Sequence, residues 1–294
     1  MAWPFALMID PAAPDDIRTD FSATFTPFDP GAAALPVGEL SAQRGDGVFE
    51  SLGVVDGHAQ EVDAHLRRLS HSAALCDLAP PNLAQWRAAV AVAEAHSPAG
   101  ESVIKLILSR GVDHTPGPTA WLTAASTPDF HDARESGIRV VTLDRGVDSA
   151  AADRAPWLLL GAKTLSYAIN MAAIREAKRR GADDAIFVST DGNVLEAPTA
   201  SVVLRVADRF ITPPPSGAIL HGTTQLSVFA YLQSRGHDVA YETVPASLLP
   251  TVDAAWLLSS LRLAAPIISV DDRPVPHDAH LTAELNAYLL SRRD

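Results

Sequence analysis

The side chains best suited to chemistry lie in one stretch of the chain, residues 157–206. Lys163 follows an apolar run at residues 157–160, and a lysine directly after such a run is expected at the edge of a core. A predicted hairpin would fold Glu196 back toward it. An amine and a carboxylate on rigid elements, with hydroxyls alongside, suit a cofactor that has a carbonyl group and a basic nitrogen. Taken alone, a lysine after a strand is most often a surface residue.

A helix and a hairpin are the elements that would position this pair. Apolar residues at helical spacing follow Lys163, and the basic residues before Gly181 predict that the helix ends there. The next strand is predicted at residues 185–189, and the Asp-Gly turn after it begins a return strand. This hairpin would also place residues 199–201 beside the first strand.

Strands and helices alternate along the rest of the chain, which predicts an α/β or α+β fold. Residues 1–40 contain short extended pieces such as residues 21–28, and an irregular N-terminal arm is as good a prediction as any for them. The other predicted strands are residues 48–55, 101–111, 119–126, 138–144, 239–244, 254–260 and 267–270. The other predicted helices are residues 62–78, 81–97, 222–236, 246–249 and 279–291.

The length of 294 residues allows two domains. A polar segment that contains proline and glycine separates two groups of elements. We therefore predict a smaller N-terminal domain at residues 1–130, a linker at residues 131–137 and a larger cofactor-binding domain at residues 138–294. The larger domain would contain Lys163.

Charge and composition argue against several classes of protein. The net charge of −12 gives no electrostatic support for nucleic-acid binding. The single cysteine, Cys76, excludes an intrachain disulfide and fits a reducing compartment. No apolar run approaches the roughly 18–20 residues that span a bilayer, and the N-terminus lacks the basic start of a signal peptide. We expect a cytoplasmic protein that binds neither nucleic acid nor membrane.

Signatures of metal and nucleotide sites are missing from the sequence. The ten histidines show no HExxH spacing, and there is no Walker A, GxGxxG or GxSxG segment. The helix start at Gly222, Thr223 and Thr224 offers free N–H groups and two hydroxyls, which suit an anion. Threonine is also a common helix cap without any ligand.

Five segments together resemble the fold-type-IV pyridoxal-phosphate enzymes, a family that includes branched-chain and D-amino acid aminotransferases and aminodeoxychorismate lyases. They are GDGVFESL, HLRRL, KTLSYAIN, LEAPTASVV and GAILHGTT, and the resemblance runs from about Arg44 to Ile267. Each segment is weak alone, whereas the ordered set is specific. The resemblance implies two α/β domains with pyridoxal 5'-phosphate in the cleft between them, and a homodimer.

The resemblance implies a role for each residue near the cofactor ring. Lys163 would form the Schiff base with the cofactor aldehyde and, once substrate displaces it, move the Cα proton. Glu196 would face the pyridine nitrogen and keep it protonated, which strengthens the ring as an electron sink. Tyr167 would lie near the phenolate oxygen, although a helical tyrosine is often simply a core residue.

Phosphate binding is the role implied for most of the other matched residues. By the resemblance, Arg68 matches the phosphate-binding arginine of the HLxRL pattern, and Arg67 would be its solvated neighbour. The planar fork of an arginine suits a phosphate dianion. The remaining residues matched to cofactor binding are Thr199, Gly222, Thr223, Thr224 and Ser260.

Within the family, the segments KTLSY, IKLILSRG and SSLR look most like aminodeoxychorismate lyase. That activity converts 4-amino-4-deoxychorismate into pyruvate and 4-aminobenzoate, a precursor of folate. The implied reaction forms an external aldimine and loses the Cα proton to Lys163. A leaving group is then expelled, and the ring becomes aromatic.

Two other functions stay open on the sequence. The first is an aminotransferase for D-amino acids or branched-chain amino acids, which would share the first chemical steps. His114 follows the RG of its strand without the nearby arginine of the D-amino acid enzymes, and Lys105 stands where branched-chain enzymes tend to carry an arginine. The second is a relative that binds a small anion without catalysis, against which the presence of both Lys163 and Glu196 argues.

The substrate is expected to be a small anion, and an acidic chain needs local positive charge to bind it. For each candidate, a surface or structural role is about as plausible. Gln225 stands where an arginine is common in the family, and no asparagine follows Ser201, so the exact substrate stays open. The candidate substrate residues are Arg44, Lys105, Arg110 and Arg262.

Overall fold

A computed structural model describes residues 4–215 and 219–293 of the chain. Gly217 and Ala218, the first two residues of the GAILHGTT segment, lie outside the described residues. Contacts divide the described chain into two compact units. The first unit runs to Pro128 and also takes in Ala162–Tyr167 and the C-terminal end from Arg292. The second unit comprises Asp129–Gly161 and Ala168–Ser291.

Within the described residues, the first unit is an antiparallel sheet of six strands in the order β2-β1-β6-β5-β3-β4, with helices packed on it. The strands are β1 (Phe5–Ile9), β2 (Phe25–Pro27), β3 (Gly47–Val55), β4 (His58–Ala59), β5 (Glu101–Ser109) and β6 (Thr119–Ser126). The helices are α1 (Leu40–Arg44), α2 (Val62–Leu75) and α3 (Leu83–Glu94).

The N-terminal arm predicted as irregular contains two of these strands. The five apolar residues of β1 pair with β6, so that Leu7 lies opposite Leu122. Leu7 is fully buried. The second strand lies within the extended piece noted at residues 21–28. The first was missed because a run of only five apolar residues carries little local signal, and the partner strand that stabilises it is more than a hundred residues away.

Glu39 is a buried carboxylate that anchors the loop leading into β3. It caps α1 by accepting a hydrogen bond of 3.1 Å from the N–H of Ser41. It also accepts hydrogen bonds from the hydroxyls of Ser109 and, at 2.7 Å, Thr119. Burial alone would raise the pKa of Glu39, but these hydrogen bonds outweigh it and hold the pKa below its ordinary value. The loop is thereby tied to the ends of β5 and β6.

The second unit, as far as it is described, has a mixed eight-stranded sheet ordered β11-β10-β9-β12-β13-β7-β8, with β14 beside β13. The strands are β7 (Ile138–Asp144), β8 (Asp184–Val188), β9 (Ser201–Val206), β10 (Arg209–Thr212), β11 (Asp238–Tyr241), β12 (Ala254–Ser259), β13 (Leu263–Val270) and β14 (Arg273–Pro274). The helices are α4 (His131–Glu135), α5 (Ala151–Arg154), α6 (Ala168–Arg179), α7 (Thr223–Ser234) and α8 (Ala279–Ser291).

Both faces of this sheet are covered with apolar side chains. Val202 and Leu204 of β9 belong to one core cluster, whereas Val203 between them belongs to another that includes residues of α7 and α8. Alternate residues of a strand point to opposite faces, so the nearly continuous apolar sequences of β9 and β12 follow from burial on both sides.

Two segments differ from the expectations drawn from the sequence. Residues 131–137, predicted as a linker, form α4 and the turn into β7, and they belong to the second unit. The apolar run 157–160 does not enter a core: it forms a short 3₁₀ helix, Pro156–Leu158, in which Trp157 is 75% exposed. Composition alone could not distinguish a buried run from an exposed one.

The predicted hairpin that carries Glu196 is confirmed. The N–H of Phe187 donates to the carbonyl of Glu196 at 2.8 Å, and the N–H of Leu195 donates to the carbonyl of Phe187 at 2.9 Å. The return strand ends there, however. Ser201 begins β9, which pairs with β10 and β12, so residues 199–201 do not lie beside the first strand as predicted.

The predicted mixture of helices and strands is confirmed, and several predicted elements coincide with observed ones, such as β6, β7 and α8. Among the described residues, no helix has the length and apolar character needed to cross a membrane.

Candidate active site

Lys163 is fixed to the first unit through its main chain. Its carbonyl accepts a hydrogen bond of 3.0 Å from the N–H of Phe49, and the N–H of Leu165 donates to the carbonyl of Gly47 at 2.8 Å. These bonds add a short antiparallel bridge to the edge of β3 opposite β5. The N–H of Lys163 donates to the hydroxyl of Ser72 on α2 at 3.0 Å. The lysine belongs to the first unit, and not to the C-terminal domain as predicted, because its hydrogen-bonding partners lie on β3 and α2.

The side chain of Lys163 lies against two aromatic rings. Its Nζ is 4.3 Å from the centroid of the Phe49 ring and 5.6 Å from that of Tyr167. The two rings pack edge to face, with centroids 5.3 Å apart. Ring faces attract a cationic amine, so the two rings fix the position of the Lys163 amine.

Gly47 lies where β3 closely approaches both β5 and the lysine segment. A Cβ atom at this position would lie 2.8 Å from the carbonyl oxygen of Leu108, from a side-chain carbon of Leu165 and from the Cα of Ser109. Since real Cβ atoms do not make such contacts, only glycine fits without a shift of the backbone.

Arg68 forms a double hydrogen bond with a buried glutamate. Its Nε and Nη2 each donate to Glu50 at 2.7 Å, and Nδ1 of His65 donates to the same carboxylate at 2.7 Å. Burial alone would raise the pKa of Glu50, but the charge and hydrogen bonds of Arg68, with the bond from His65, hold the pKa well below its ordinary value. Arg67, the neighbour predicted to be solvated, is exposed.

Burial changes the pKa of His65 in the opposite direction to that of Glu50. The ring is 1% exposed, and this burial lowers the pKa of His65, outweighing the favourable charge of Glu50. The ring is therefore neutral at pH 7. Because an ionised carboxylate only accepts hydrogen bonds, the proton is on Nδ1.

In the second unit, Glu196 is held at the start of the segment that leads to β9. Its main chain pairs with β8, and one carboxylate oxygen accepts a hydrogen bond of 3.1 Å from the N–H of Leu220. The side-chain amide of Asn170 on α6 donates to the carbonyl of Pro198 at 2.7 Å, which fixes the same segment. Thr199 follows and is exposed.

The start of α7 has the properties of an anion site. Gly222 precedes the helix and makes no side-chain capping bond, and Thr223 and Thr224 are buried. The Thr223 hydroxyl lies 3.5 Å from that of Ser260. A side chain at Gly222 would collide with the hydroxyl of Ser201. Main-chain N–H groups and hydroxyls at the positive end of a helix suit a phosphate.

The four candidate substrate residues have different environments. Arg110 pairs with both oxygens of Asp46 and also donates to the main-chain carbonyls of Cys76 and Asp77. These contacts hold loops together, so the structure gives Arg110 a structural role. Arg44, in the last turn of α1, is exposed.

Arg262 likewise has a structural partner, since its Nη2 donates to the buried carboxylate of Asp184 at 2.7 Å. Lys105 is half-buried on β5, and burial lowers the pKa of its amine. Register places Lys105 opposite Ser51, and Ile107 opposite Phe49. Since residues two apart on a strand share a face, Lys105 lies on the same face of the sheet as Phe49.

Sequence reasoning missed Glu50, His65, Phe49 and Ser72. A signal for two of them existed. Buried positions alternate along β3, so Glu50 occupies a core position in an otherwise apolar strand, and a buried carboxylate needs a partner. His65 and Arg68 stand three apart on α2 and therefore share a face. Ser72 acts through a contact between distant segments and left no local pattern.

Comparison with known proteins gives the family of the chain. The sequence pattern of amino-transferase class IV matches residues 47–270. The bifunctional aminodeoxychorismate lyase / D-amino acid transaminase of Mycobacterium tuberculosis is 44% identical over 90% of this chain and 96% of its own length.

Solved structures give the same result. A fold IV-transaminase, CpuTA1, from Curtobacterium pusillum is 47% identical, with a TM-score of 0.93 over 98% of this chain and 99% of that one. A hypothetical aminotransferase from Mycobacterium tuberculosis in its PLP-bound form is 40% identical, with a TM-score of 0.89 over 98% and 99% of the two chains. The predicted family is confirmed: the chain belongs to the class IV aminotransferases, the fold-type-IV pyridoxal-phosphate enzymes.

Proposed function

We propose that this chain is a pyridoxal-phosphate-dependent 4-amino-4-deoxychorismate lyase, which forms 4-aminobenzoate and pyruvate in folate biosynthesis. The observation that carries the reaction is the 44% identity, over 96% of its length, to a relative whose name includes this activity. The single unpaired cysteine is consistent with action in the reducing cytoplasm.

The residues present fit the cofactor. Lys163 would hold it covalently, because a lysine amine condenses with an aldehyde. Arg68 and the start of α7 suit its phosphate, since α7 begins without a side-chain cap and with two buried hydroxyls. Glu196 would pair with the ring nitrogen. The full set proposed to bind the cofactor is Arg68, Lys163, Tyr167, Glu196, Thr199, Gly222, Thr223, Thr224 and Ser260.

When bound, pyridoxal phosphate supplies an electron sink that stabilises negative charge at the substrate carbon bearing the amino group. Lys163 would take the proton from this carbon as a general base. The rings of Phe49 and Tyr167 limit where the amine can lie, so the base is held in a narrow range of positions.

Lys105 is the residue we propose for contact with a substrate carboxylate. It is cationic, half-buried and on the same sheet face as Phe49, which contacts the amine of Lys163. Arg44 stays a weaker candidate because it is exposed, and Arg110 and Arg262 are engaged in structural ion pairs.

A product assay tests the lyase directly. The purified protein, loaded with pyridoxal phosphate, is given 4-amino-4-deoxychorismate without any keto acid, and both products are measured. Formation of 4-aminobenzoate and pyruvate in equal amounts, absent in the Lys163→Ala variant, is the expected result. A protein that holds the cofactor but forms neither product would contradict the lyase proposal.

D-amino acid transamination is the second candidate, and specific observations favour it. The name of the 44% identical relative also includes D-amino acid transaminase, and CpuTA1 is described as a transaminase. A transaminase needs an amino acceptor, whereas a lyase does not. Turnover of D-alanine that depends on added 2-oxoglutarate would therefore establish this activity separately.

We also infer that the chain acts as a homodimer. Trp157 is 75% exposed, Ile169 58% and Met171 44%, and all three lie in the second unit. Large exposed apolar side chains favour burial against another surface. Light scattering is expected to give twice the chain mass of 31.1 kDa, and Trp157→Glu is expected to lower the measured mass. A monomeric wild-type protein would contradict the inference.

A further inference from the structure

Glu50 is a carboxylate in a position that the strand pattern reserves for the core. It lies on the face of β3 that also carries Val48 and Leu52, and all three side chains are fully buried. Burying a carboxylate costs several kcal/mol unless charged and hydrogen-bonded partners compensate it. The presence of a carboxylate in this apolar strand is therefore explained by the side chains that it binds.

The partners of Glu50 are two side chains one turn apart on α2. Arg68 donates two parallel hydrogen bonds to it, and His65 donates a third to the same carboxylate. The Arg68 side chain is 11% exposed, whereas Glu50 and His65 are at 0% and 1%. The hydrogen-bonded group thus extends from the buried glutamate and histidine to the more accessible arginine.

We propose that Glu50 and His65 are positioning residues for Arg68, and that they raise the affinity of the protein for the phosphate group of its cofactor. This inference rests on the proposed function, in which Arg68 binds that phosphate. Neither residue contacts the phosphate itself in this proposal.

The physical reason is preorganisation of a flexible cation. A guanidinium has five N–H donors, and the double hydrogen bond to Glu50 uses two of them in a fixed plane. The third bond, from His65, fixes the rotation of the carboxylate and so the plane of the guanidinium. Without these bonds Arg68 would have to be ordered when phosphate binds, which costs roughly 0.5–1.5 kcal/mol for a side chain of this kind, or about two- to tenfold in affinity.

A purely electrostatic role for Glu50 predicts the opposite change in phosphate affinity, so the direction of the change distinguishes the two roles. If Glu50 acted only as a charge, removing it would leave Arg68 more strongly positive, and phosphate would bind more tightly. Preorganisation and simple charge neutralisation therefore predict opposite effects of Glu50→Gln.

The test is an equilibrium titration of the apoprotein with two ligands, pyridoxal phosphate and pyridoxal, which lacks the phosphate. Both ligands can attach to Lys163, so the ratio of their Kd values isolates the phosphate contribution. We expect Glu50→Gln to weaken the binding of pyridoxal phosphate roughly three- to tenfold and the binding of pyridoxal less than about twofold. Equal losses for both ligands, no loss, or tighter binding would overturn the proposal.

Variants on α2 provide the controls. Arg67→Gln, which changes an exposed neighbour, should alter neither Kd. In an Arg68→Gln background, Glu50→Gln should have no further effect on the ratio, because the residue through which it acts is gone. A full effect in that background would overturn the proposal.

A second position keeps the test valid if Glu50→Gln fails to fold in a thermal melt. His65→Leu removes the donor to Glu50 and should reduce the phosphate contribution, whereas His65→Asn keeps a donor near Nδ1 and should restore part of it. Absence of this difference would overturn the role of His65. A wild-type protein that binds pyridoxal phosphate no better than pyridoxal would instead contradict the phosphate role of Arg68 in the proposed function.

Discussion

The amine of Lys163 lies 4.3 Å from the centre of the Phe49 ring, and the main-chain N–H of the same phenylalanine donates a hydrogen bond of 3.0 Å to the Lys163 carbonyl. One residue of β3 therefore restrains both the backbone and the reactive end of the lysine. A short segment that is distant in sequence from β3 thereby obtains the rigidity that a site on a regular element would have.

Replacing Lys163 with alanine is expected to abolish turnover and the visible absorbance of lysine-bound cofactor. The fold should persist, because the bonds that fix this residue involve its main chain. Activity assays, absorbance spectra and thermal melts would check this. Lys178→Ala, which changes an exposed lysine near the end of α6, is the matched control and should leave all three unchanged. Turnover that survives in Lys163→Ala would contradict the assignment.

Gly47→Ala is expected to destabilise the protein by about 1–3 kcal/mol, the range typical of overpacking. The added methyl would lie 2.8 Å from backbone atoms of Leu108 and Ser109 on β5 and from a side-chain carbon of Leu165, so β3 would have to shift away from these neighbours. Gly31→Ala is the control, because its added methyl would approach Asp29 only to 3.4 Å. Thermal melts compare the stability of the two variants. Equal stability of the two would refute the close-approach argument.

Local helices and strands could be predicted from the sequence, whereas the distant segments that pack against them could not. The strands β6 and β7 and the helix α8 could be predicted because each has a clear apolar period. The first strand could not, since its stability comes from pairing with β6. The exposed position of Trp157 was also beyond local reasoning, because burial depends on the neighbours that the fold supplies.

The same division holds for the candidate site. Lys163 and Glu196 stood out because their types and surroundings suggested chemistry, and the family resemblance added Arg68. Placement of the lysine with the first unit depends on Ser72 and Phe49, which are 91 and 114 positions away in sequence and share no motif with it. Arg110 and Arg262 looked suitable for substrate, but their carboxylate partners Asp46 and Asp184 become visible only in three dimensions.

Lys105→Gln is expected to raise the KM for the anionic substrate about 10- to 100-fold, with a smaller change in kcat, since it removes one charged hydrogen bond used in binding. Lys178→Gln should leave KM unchanged. Steady-state kinetics give both values, and absorbance confirms that the cofactor stays bound. An unchanged KM in Lys105→Gln would eliminate this residue from substrate binding.

The pH dependence of KM gives a further test of Lys105. Burial lowers the pKa of this amine, so its charge is lost at a lower pH than the ordinary lysine value of about 10.4. KM for the anionic substrate should therefore rise with pH before that value is reached. The same rise in Lys105→Gln would show that another group is responsible.

Glu39→Gln is expected to lower the free energy of unfolding by about 1–3 kcal/mol at neutral pH, because the carboxylate accepts three hydrogen bonds in a buried site. The folded pKa lies below the unfolded value of about 4.3, so this stabilisation is complete above that value and is lost as pH falls through the folded pKa. Urea unfolding at several pH values should show wild type and variant converging in acid. A gap that widens in acid would contradict this sign.

The attachment of the cofactor to Lys163 can be tested directly, because the chain contains only three lysines, Lys105, Lys163 and Lys178. The protein is loaded with pyridoxal phosphate, reduced with borohydride to make the attachment permanent, digested, and analysed by mass spectrometry. The cofactor mass is expected on Lys163 alone. A mark on Lys105 or Lys178, or a loaded protein with no marked lysine, would contradict it.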